Sequence, residues 1–479
     1  MYHMAIIGCG AMSVAFIYNF VQHFLQLKHK KLSITIFEKA QDIGIGLPYS
    51  QDLLSLRLNQ TMDYMSISSV NRMHFQNWIE DQKTYSHLLG EKYIPRIIYG
   101  EYLQWCLQET IHQAADHVEF DILNKEVIDI TDQSQPVVHT FDHSYKFDMV
   151  LLCTGHIFNK DPYQLLQYPC YIDQPYPLIK KLSNITKKQN VAILGSGLTA
   201  IDIAISLRML KHEGSVHMIS RQGQLPFVQT ENKNYSPMII NTDIFKSDKN
   251  ISIKTLLYVL KQEFKLNNLE WDKVTSCNTN VENYHSFKYK LQESRKETNK
   301  YHVASQAIYY FLCSIWNKLS DRDKEKFNKE ILPFLSLQSI RMPYINAKII
   351  MDMMQENLKI KKGLKSLAYH SEQFIASFKN NVTNRYDWVI NATGLSRDIN
   401  HSDSILHHNL LEKGLFISNP LGGIKVDFDT SSIIDKNQNI HSNIKVIGHL
   451  ASGTYFITNG IDYMRPTINN VIKDVLKRL

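Results

Sequence analysis

The chain lacks the spacings that would mark a redox dithiol or a metal site. Its six cysteines, Cys9, Cys106, Cys153, Cys170, Cys277 and Cys313, form no Cys-x-x-Cys pair. That counts against a dithiol flavin reductase and a zinc ribbon, and leaves reduced, structural thiols as the expectation. The twenty histidines include no His-Glu-x-x-His or similar ligand spacing, so no metal is expected, and His407-His408 reads as a polar loop pair. No apolar run is long enough to span a bilayer. Residues 304–319 are apolar but carry Ser305, Gln306, Ser314 and Asn317, and read as a packed helix. No internal period marks a repeat array. A net charge of +7 spread over 479 residues forms no basic face, so neither nucleic acid nor membrane is an expected partner. The first apolar strand starts almost at Met1, which leaves no space for a signal peptide and makes a cytoplasmic location the expectation.

Two glycine-rich turns of one kind are present, each after a short apolar strand. The first is Ala5-Ile6-Ile7-Gly8-Cys9-Gly10-Ala11-Met12-Ser13, and the second is Val191-Ala192-Ile193-Leu194-Gly195-Ser196-Gly197-Leu198-Thr199-Ala200. Such a turn carries a strand into a helix while leaving room for a pyrophosphate. The first glycine allows the tight turn, the second removes a Cβ from the phosphates' path, and the third position must be small for the helix to approach the sheet. Gly8, Gly10 and Ser13 fill these positions in one turn, and Gly195, Gly197 and Ala200 in the other. The helix start then turns N–H groups and partial positive charge toward the anion. Two such turns point to two dinucleotides in one chain, and to electron transfer between them.

The strands that follow differ at their ends. Leu32–Phe37 ends in Glu38, an acid suited to ribose hydroxyls and hostile to a 2′-phosphate, so the first turn is expected to take FAD or NAD. The strand 215–219 ends in Ser220-Arg221, with no acid. A hydroxyl and a guanidinium suit a 2′-phosphate, so the second turn is expected to take NADPH. Downstream of each turn, an acid, a buried strand and Thr-Gly recur: Asp148 to Thr154-Gly155, and Asp387 to Thr393-Gly394. Such strand ends let the backbone cross close to a bound dinucleotide.

The resulting expectation is an α/β protein with two Rossmann-like dinucleotide-binding domains, the first interrupted by the second. The boundaries are residues 1–165 for the first domain, 166–395 for the second and 396–479 for the completion of the first. Residues 237–343, where Lys, Glu and Asn alternate with apolar residues at helical spacing, read as a helical insertion. Within it, the polar stretch 272–298 reads as a loop. A late strand at 444–447, then Gly448 and a final helix from Gly460, return N–H groups toward the first site.

Several further blocks carry a resemblance. They are Gly44-Ile45-Gly46-Leu47-Pro48-Tyr49 with Leu56-Arg57-Leu58-Asn59, Phe75-Gln76-Asn77-Trp78, Pro95-Arg96 with Tyr99-Gly100-Glu101, and Ser220-Arg221-Gln222-Gly223-Gln224-Leu225-Pro226. In these the chain resembles FAD/NAD(P)-binding oxidoreductases related to flavin-dependent N-hydroxylating monooxygenases, over nearly its whole length except the insertion. The resemblance implies FAD in the first domain and NADP in the second. It implies a small amine or amino acid and dioxygen as substrates, with oxygen transferred through a C4a-hydroperoxyflavin. It also implies that Asn59 and Arg96 stand near the flavin. The full set of expected cofactor-binding positions is Gly8, Gly10, Ser13, Glu38, Asn59, Val127, Thr154, Gly155, Gly195, Gly197, Ala200, Ser220, Arg221, Thr393, Gly394 and Gly448. No catalytic side chain is assigned. Two departures stand out. The Baeyer–Villiger signature is absent around His156, and the usual Gly-Asp near the last flavin-domain strand reads Gly448-His449. A flavin reductase with another acceptor, and a nucleotide-binding protein without turnover, use the same two turns and remain open.

Overall fold

The computed structural model describes residues 1–27, 30–132, 134–158, 161–229, 235–241, 243–275, 280–296, 300–339, 341–379 and 381–479. The chain forms two compact units, one of Met1–Phe158 with Leu395–Leu479 and one of Asn159–Gly394.

In the first unit the strand Tyr2–Ile7 is buried on both faces from Met4 onward, as a central parallel strand must be. Met4 and Ile6 enter one core and Ala5 and Ile7 the other, the two-residue alternation of a strand. It pairs in parallel with Leu32–Phe37 on one side and Met149–Leu152 on the other. The whole sheet runs Ser432–Ile434, Ile440–Val446, Met149–Leu152, Tyr2–Ile7, Leu32–Phe37, Val118–Leu123, and only its Ser432–Ile434 edge is antiparallel. The chain therefore moves outward from Tyr2–Ile7 and then returns to the opposite side. That reversal leaves a crevice at the carboxyl ends of the strands, the usual place for a dinucleotide. Beneath one face the helices Ala11–Phe24, Arg96–Ala114 and Ile461–Leu476 pack together through Val14, Ile17, Val21, Leu103, Ile468 and Val471. Burying each such side chain contributes about 1.5–3 kcal/mol. The other face is covered by the antiparallel strands Val127–Asp132, Pro136–Thr140 and Ser144–Lys146, with the helix Ile405–Glu412 beside them.

The second unit repeats the reversal. Its parallel sheet runs Leu358–Lys362, Val216–Ser220, Val191–Leu194, Trp388–Asn391, Tyr171–Ile172. A three-stranded antiparallel sheet, Leu364–His370, Gln373–Phe378 and Thr383–Tyr386, packs Phe374 and Ala376 onto Ala192 and Leu194. Between Val216–Ser220 and Leu358–Lys362 lie helices that include Ile253–Leu266, Tyr284–Glu293, Tyr301–Ile315, Asp321–Glu330 and Tyr344–Glu356. Tyr301–Ile315 buries Ala304, Ile308, Phe311 and Leu312, which accounts for the apolar run at 304–319.

The polar stretch 272–298 is not a loop throughout. It holds the helix Tyr284–Glu293, started by a capping box in which the Asn283 side chain accepts from the Ser286 N–H and Ser286 Oγ accepts from the Asn283 N–H. Phe287 and Leu291, four residues apart, anchor it. Residues 276–279 and 297–299, Cys277 among them, lie outside the described residues. No helix among the described residues is long and apolar enough to cross a membrane.

Candidate functional site

The first glycine turn is shaped by its neighbour strand as well as by its own backbone. Gly8 has φ +89°, and a Cβ there would sit 2.4 Å from the carbonyl oxygen of Cys153. Its N–H donates to the Phe37 carbonyl at 2.8 Å. Gly8 is thus wedged between the ends of both flanking strands. Gly10 faces the loop at 44–46, where a Cβ on Gly46 would lie 3.2 Å from the Gly10 Cα. Ser13 is fully buried and donates its hydroxyl to the Gly8 carbonyl at 2.5 Å, so the small third residue also ties the turn to the helix. The helix Ala11–Phe24 is capped by Gly10, with no side-chain cap and no acid in its first turn.

Glu38 stands beside this turn. Its carboxylate accepts from the Cys9 N–H at 2.7 Å and from the Ala40 N–H at 2.9 Å. Each oxygen keeps a lone pair for a further donor. Cys9 itself is buried, and burial, with the Glu38 charge behind it, pushes its thiol up to about 12. Burial does the same to Cys153. Neither sulfur is a thiolate at neutral pH, so neither is a nucleophile here. Cys9, Cys106, Cys153, Cys170 and Cys313 form no disulfide.

At the end of Met149–Leu152, Thr154 Oγ1 lies 2.9 Å from Nε2 of His407, whose Nδ1 lies 2.7 Å from Ser402 Oγ. His407 is therefore not a loop residue. It lies on the helix Ile405–Glu412 and is 3% exposed, because its ring bridges the Thr-Gly crossing to the 402 turn. Burial, helped by His408 and Lys39, brings its pKa down to about 4. Gly155 has φ +82° and open space where a Cβ would be. The ring of the next residue, His156, meets that of His449 edge to face at 5.4 Å. Burial and His449 bring His156 down to about 4. His449 is itself buried, with its pKa lowered by burial, and donates Nε2–H to the Ser396 carbonyl at 2.6 Å. The residue standing where an acid is usual is thus a neutral imidazole, and no carboxylate occupies that position. Gly448, with φ +100°, opens the turn before it.

The remaining first-unit positions are Asn59, Arg96 and Val127. The Asn59 side chain is half-buried and has no hydrogen bond among the described residues. Arg96 Nε donates to the Arg57 carbonyl at 3.0 Å, holding the blocks at 57 and 96 together. The Val127 side chain is buried in the core, so only its main chain could meet a ligand.

The second unit builds the same turn with different residues. Gly195 has φ +132°, its imagined Cβ lies 2.3 Å from the Ala392 carbonyl oxygen, and its N–H donates to Ile219 at 2.8 Å. Gly197 caps the helix Leu198–Met209 without a side-chain cap or a first-turn acid, and a Cβ on it would meet nothing within 4 Å. Ala200 is fully buried against the sheet. Ser220 Oγ accepts from the Gly223 N–H at 3.0 Å and lies 2.8 Å from Ser196 Oγ. Arg221 is exposed and makes no ion pair or hydrogen bond among the described residues. Thr393 donates its N–H and its hydroxyl to Asn391 Oδ1, at 3.1 and 2.7 Å, and Gly394 follows it with φ +93°.

These features fit a pyrophosphate at each turn. Both helix starts carry glycine where a capping side chain would stand, leaving their first N–H groups to an anion. Two residues outside the expected set join the sites: Ser196, whose hydroxyl donates to the Gln224 carbonyl at 2.6 Å, and Ser396, whose carbonyl accepts from His449. Serine between two motif glycines was a signal for the first; nothing local marks the second. Among the described residues no group of His, Cys, Asp or Glu side chains is placed to hold a metal ion.

Residues 5–157 match the family model described as FAD-NAD(P)-binding. The uncharacterized protein YdhS of Escherichia coli is 24% identical over 226 residues, which span 43% of this chain and 39% of YdhS. DfoA, a cadaverine monooxygenase of Erwinia amylovora solved with FAD bound, is 13% identical with a TM-score of 0.62, covering 100% of this chain and 95% of that one. The ornithine N-hydroxylase KtzI of Kutzneria sp. 744, solved with reduced FAD, NADP+ and L-ornithine, is 11% identical with a TM-score of 0.57, covering 100% and 99%. The chain thus shares the fold of these two solved enzymes over its whole length, and its residues 5–157 match an FAD-NAD(P)-binding family model.

Proposed function

We propose that this chain is an FAD-dependent, NADPH-using monooxygenase that hydroxylates a small amine or amino acid with dioxygen. The observation that carries the reading is the duplicated turn. Gly8 against Cys153 and Gly195 against Ala392 build equivalent crevices, one edged by Glu38 and the other by Ser220-Arg221. KtzI, of the same fold, was solved with reduced FAD, NADP+ and L-ornithine together, and DfoA with FAD, which supports the pairing.

In this reading Gly8, Gly10 and Ser13 hold the FAD pyrophosphate, and Glu38 accepts from a ribose hydroxyl. Thr154, Gly155 and Gly448 line the far half of that crevice, with Asn59 as a further contact. Gly195, Gly197 and Ala200 hold the NADPH pyrophosphate, with Arg221 at the 2′-phosphate and Thr393-Gly394 at the crossing. When bound, FAD accepts a hydride from NADPH and supplies the electrons that activate dioxygen. The balance is one NADPH, one proton, one dioxygen and one amine giving NADP+, water and the hydroxylamine. The chain contributes orientation, exclusion of water and uncharged surroundings. The His156–His449 pair adds no negative charge where the fold usually has one. A cytoplasmic location, where NADPH is regenerated, goes with this reading.

The test is a product balance. FAD-loaded protein is given NADPH and oxygen with a panel of diamines and basic amino acids, and hydroxylated amine and hydrogen peroxide are counted against NADPH consumed. One hydroxylated product per NADPH for at least one amine supports the reading. Peroxide equal to NADPH with every amine assigns the chain to reductase chemistry.

A further inference from the structure

The insertion between Val216–Ser220 and Leu358–Lys362 grips the loop that follows the second strand. Glu282 and Lys290 form a buried ion pair, with side chains 0% and 12% exposed. Replacing such a pair by apolar side chains of similar volume is often neutral or favourable, so its bonds are a better guide to its role than its stability. Those bonds converge on the loop. The Glu282 N–H donates to the Gly223 carbonyl at 2.7 Å, and its carboxylate accepts from the Leu225 N–H at 3.3 Å and from Ser286 Oγ at 2.8 Å. Lys290 Nζ donates to Gln224 Oε1 at 3.1 Å and to the Leu225 carbonyl at 3.4 Å, and sits over the Phe227 ring. Gln224 Nε2 also donates to the Asn280 carbonyl. From the other side, Ser196 of the glycine turn holds the Gln224 carbonyl. The loop is clamped between turn and insertion.

What the clamped loop presents is positive charge. Arg221 leaves it exposed. Lys362 lies opposite Ser220 in the parallel register, and its Cβ is 3.0 Å from where a Cβ of Gly223 would be. We infer that the helical insertion sets the selectivity of the second turn for a 2′-phosphorylated coenzyme, with Glu282 and Lys290 as positioning residues that hold the loop so that Arg221 and Lys362 face the 2′-phosphate. This rests on the proposed reading that this unit takes NADPH. Both cations meet a phosphate that NAD lacks, so disturbing the loop weakens NADP+ selectively.

The full-length FAD-loaded protein is titrated calorimetrically with NADP+ and with NAD+. The variants are Glu282→Gln and the double variant Glu282→Leu/Lys290→Met, which removes both charges at similar volume and keeps the packing. The expected result is NADP+ affinity lower by about tenfold with NAD+ affinity within about twofold of wild type, as for loss of charge-assisted contacts. An unchanged NADP+ to NAD+ ratio in both variants, whether both affinities hold or both fall, overturns the inference. Wild-type protein without preference for NADP+ overturns the coenzyme reading beneath it, and is told apart because the variants play no part in it.

Discussion

The carbonyl oxygen of Cys153 lies 2.4 Å from where a Cβ of Gly8 would be, and the same relationship joins Ala392 to Gly195 at 2.3 Å. In each unit the residue before Thr-Gly presses on the first glycine of the turn. The two motifs are therefore one device, since the strand end that leads into Thr-Gly also fills the space a side chain would need.

Gly8→Ala and Gly195→Ala should each destabilise their unit by about 2–4 kcal/mol, from backbone collision together with positive φ. Gly197→Ala is the contrast, because its Cβ meets open space. Its stability cost should be about 1 kcal/mol or less, while KM for NADPH rises severalfold. Urea denaturation and steady-state kinetics on the three variants separate a packing role from a phosphate-facing one.

Glu38→Ala leaves the N–H groups of Cys9 and Ala40 without their acceptor. The expected outcome is FAD bound about tenfold or more weakly, with loss of about 1–2 kcal/mol of apo-protein stability. Flavin retention through gel filtration, followed by titration of the apo-protein with FAD, measures it.

Arg221→Ala should erase most of the preference for NADPH over NADH. The expected change is a rise in KM for NADPH of about tenfold to a hundredfold, with KM for NADH and kcat nearly constant. An unmoved ratio would return Arg221 to a solvated loop residue.

The buried imidazoles set an acid limit on stability. Unfolded histidine titrates near 6.5, whereas His156, His217 and His407 are held near 4 in the fold. As pH falls through 6.5 the unfolded chain takes up protons first. The stabilisation is therefore complete above about pH 6.5 and is lost progressively toward pH 4. His441, raised by Asp132 and Asp435 against burial, has the opposite sign: its contribution is present below 6.5 and fades as pH rises through its folded pKa. Tm measured from pH 8 to pH 4.5 should fall on the acid side, and His407→Gln should flatten that fall.

Much of this fold was legible because its cues are local. Apolar runs next to glycine spacing mark Tyr2–Ile7 and Val191–Leu194, and the closing residues Glu38 and Ser220-Arg221 mark the ends of the strands after them. What was not legible depends on residues distant in the chain. Nothing near Gly8 announces Cys153, and nothing near Ser220 announces Glu282. His407 read as a loop residue because its partners, Thr154 and Ser402, are brought to it by the sheet and by the turn before its helix. The helix Tyr284–Glu293 was hidden by its polarity, although Asn283 and Ser286 are a capping pair that sequence alone displays.

The most direct measurement is anaerobic mixing of the FAD-loaded protein with NADPH, followed at the flavin absorbance band. Complete bleaching is expected within seconds, with NADH slower by about tenfold or more. A flavin that stays oxidised under excess NADPH, or a protein that takes up no FAD, would contradict it.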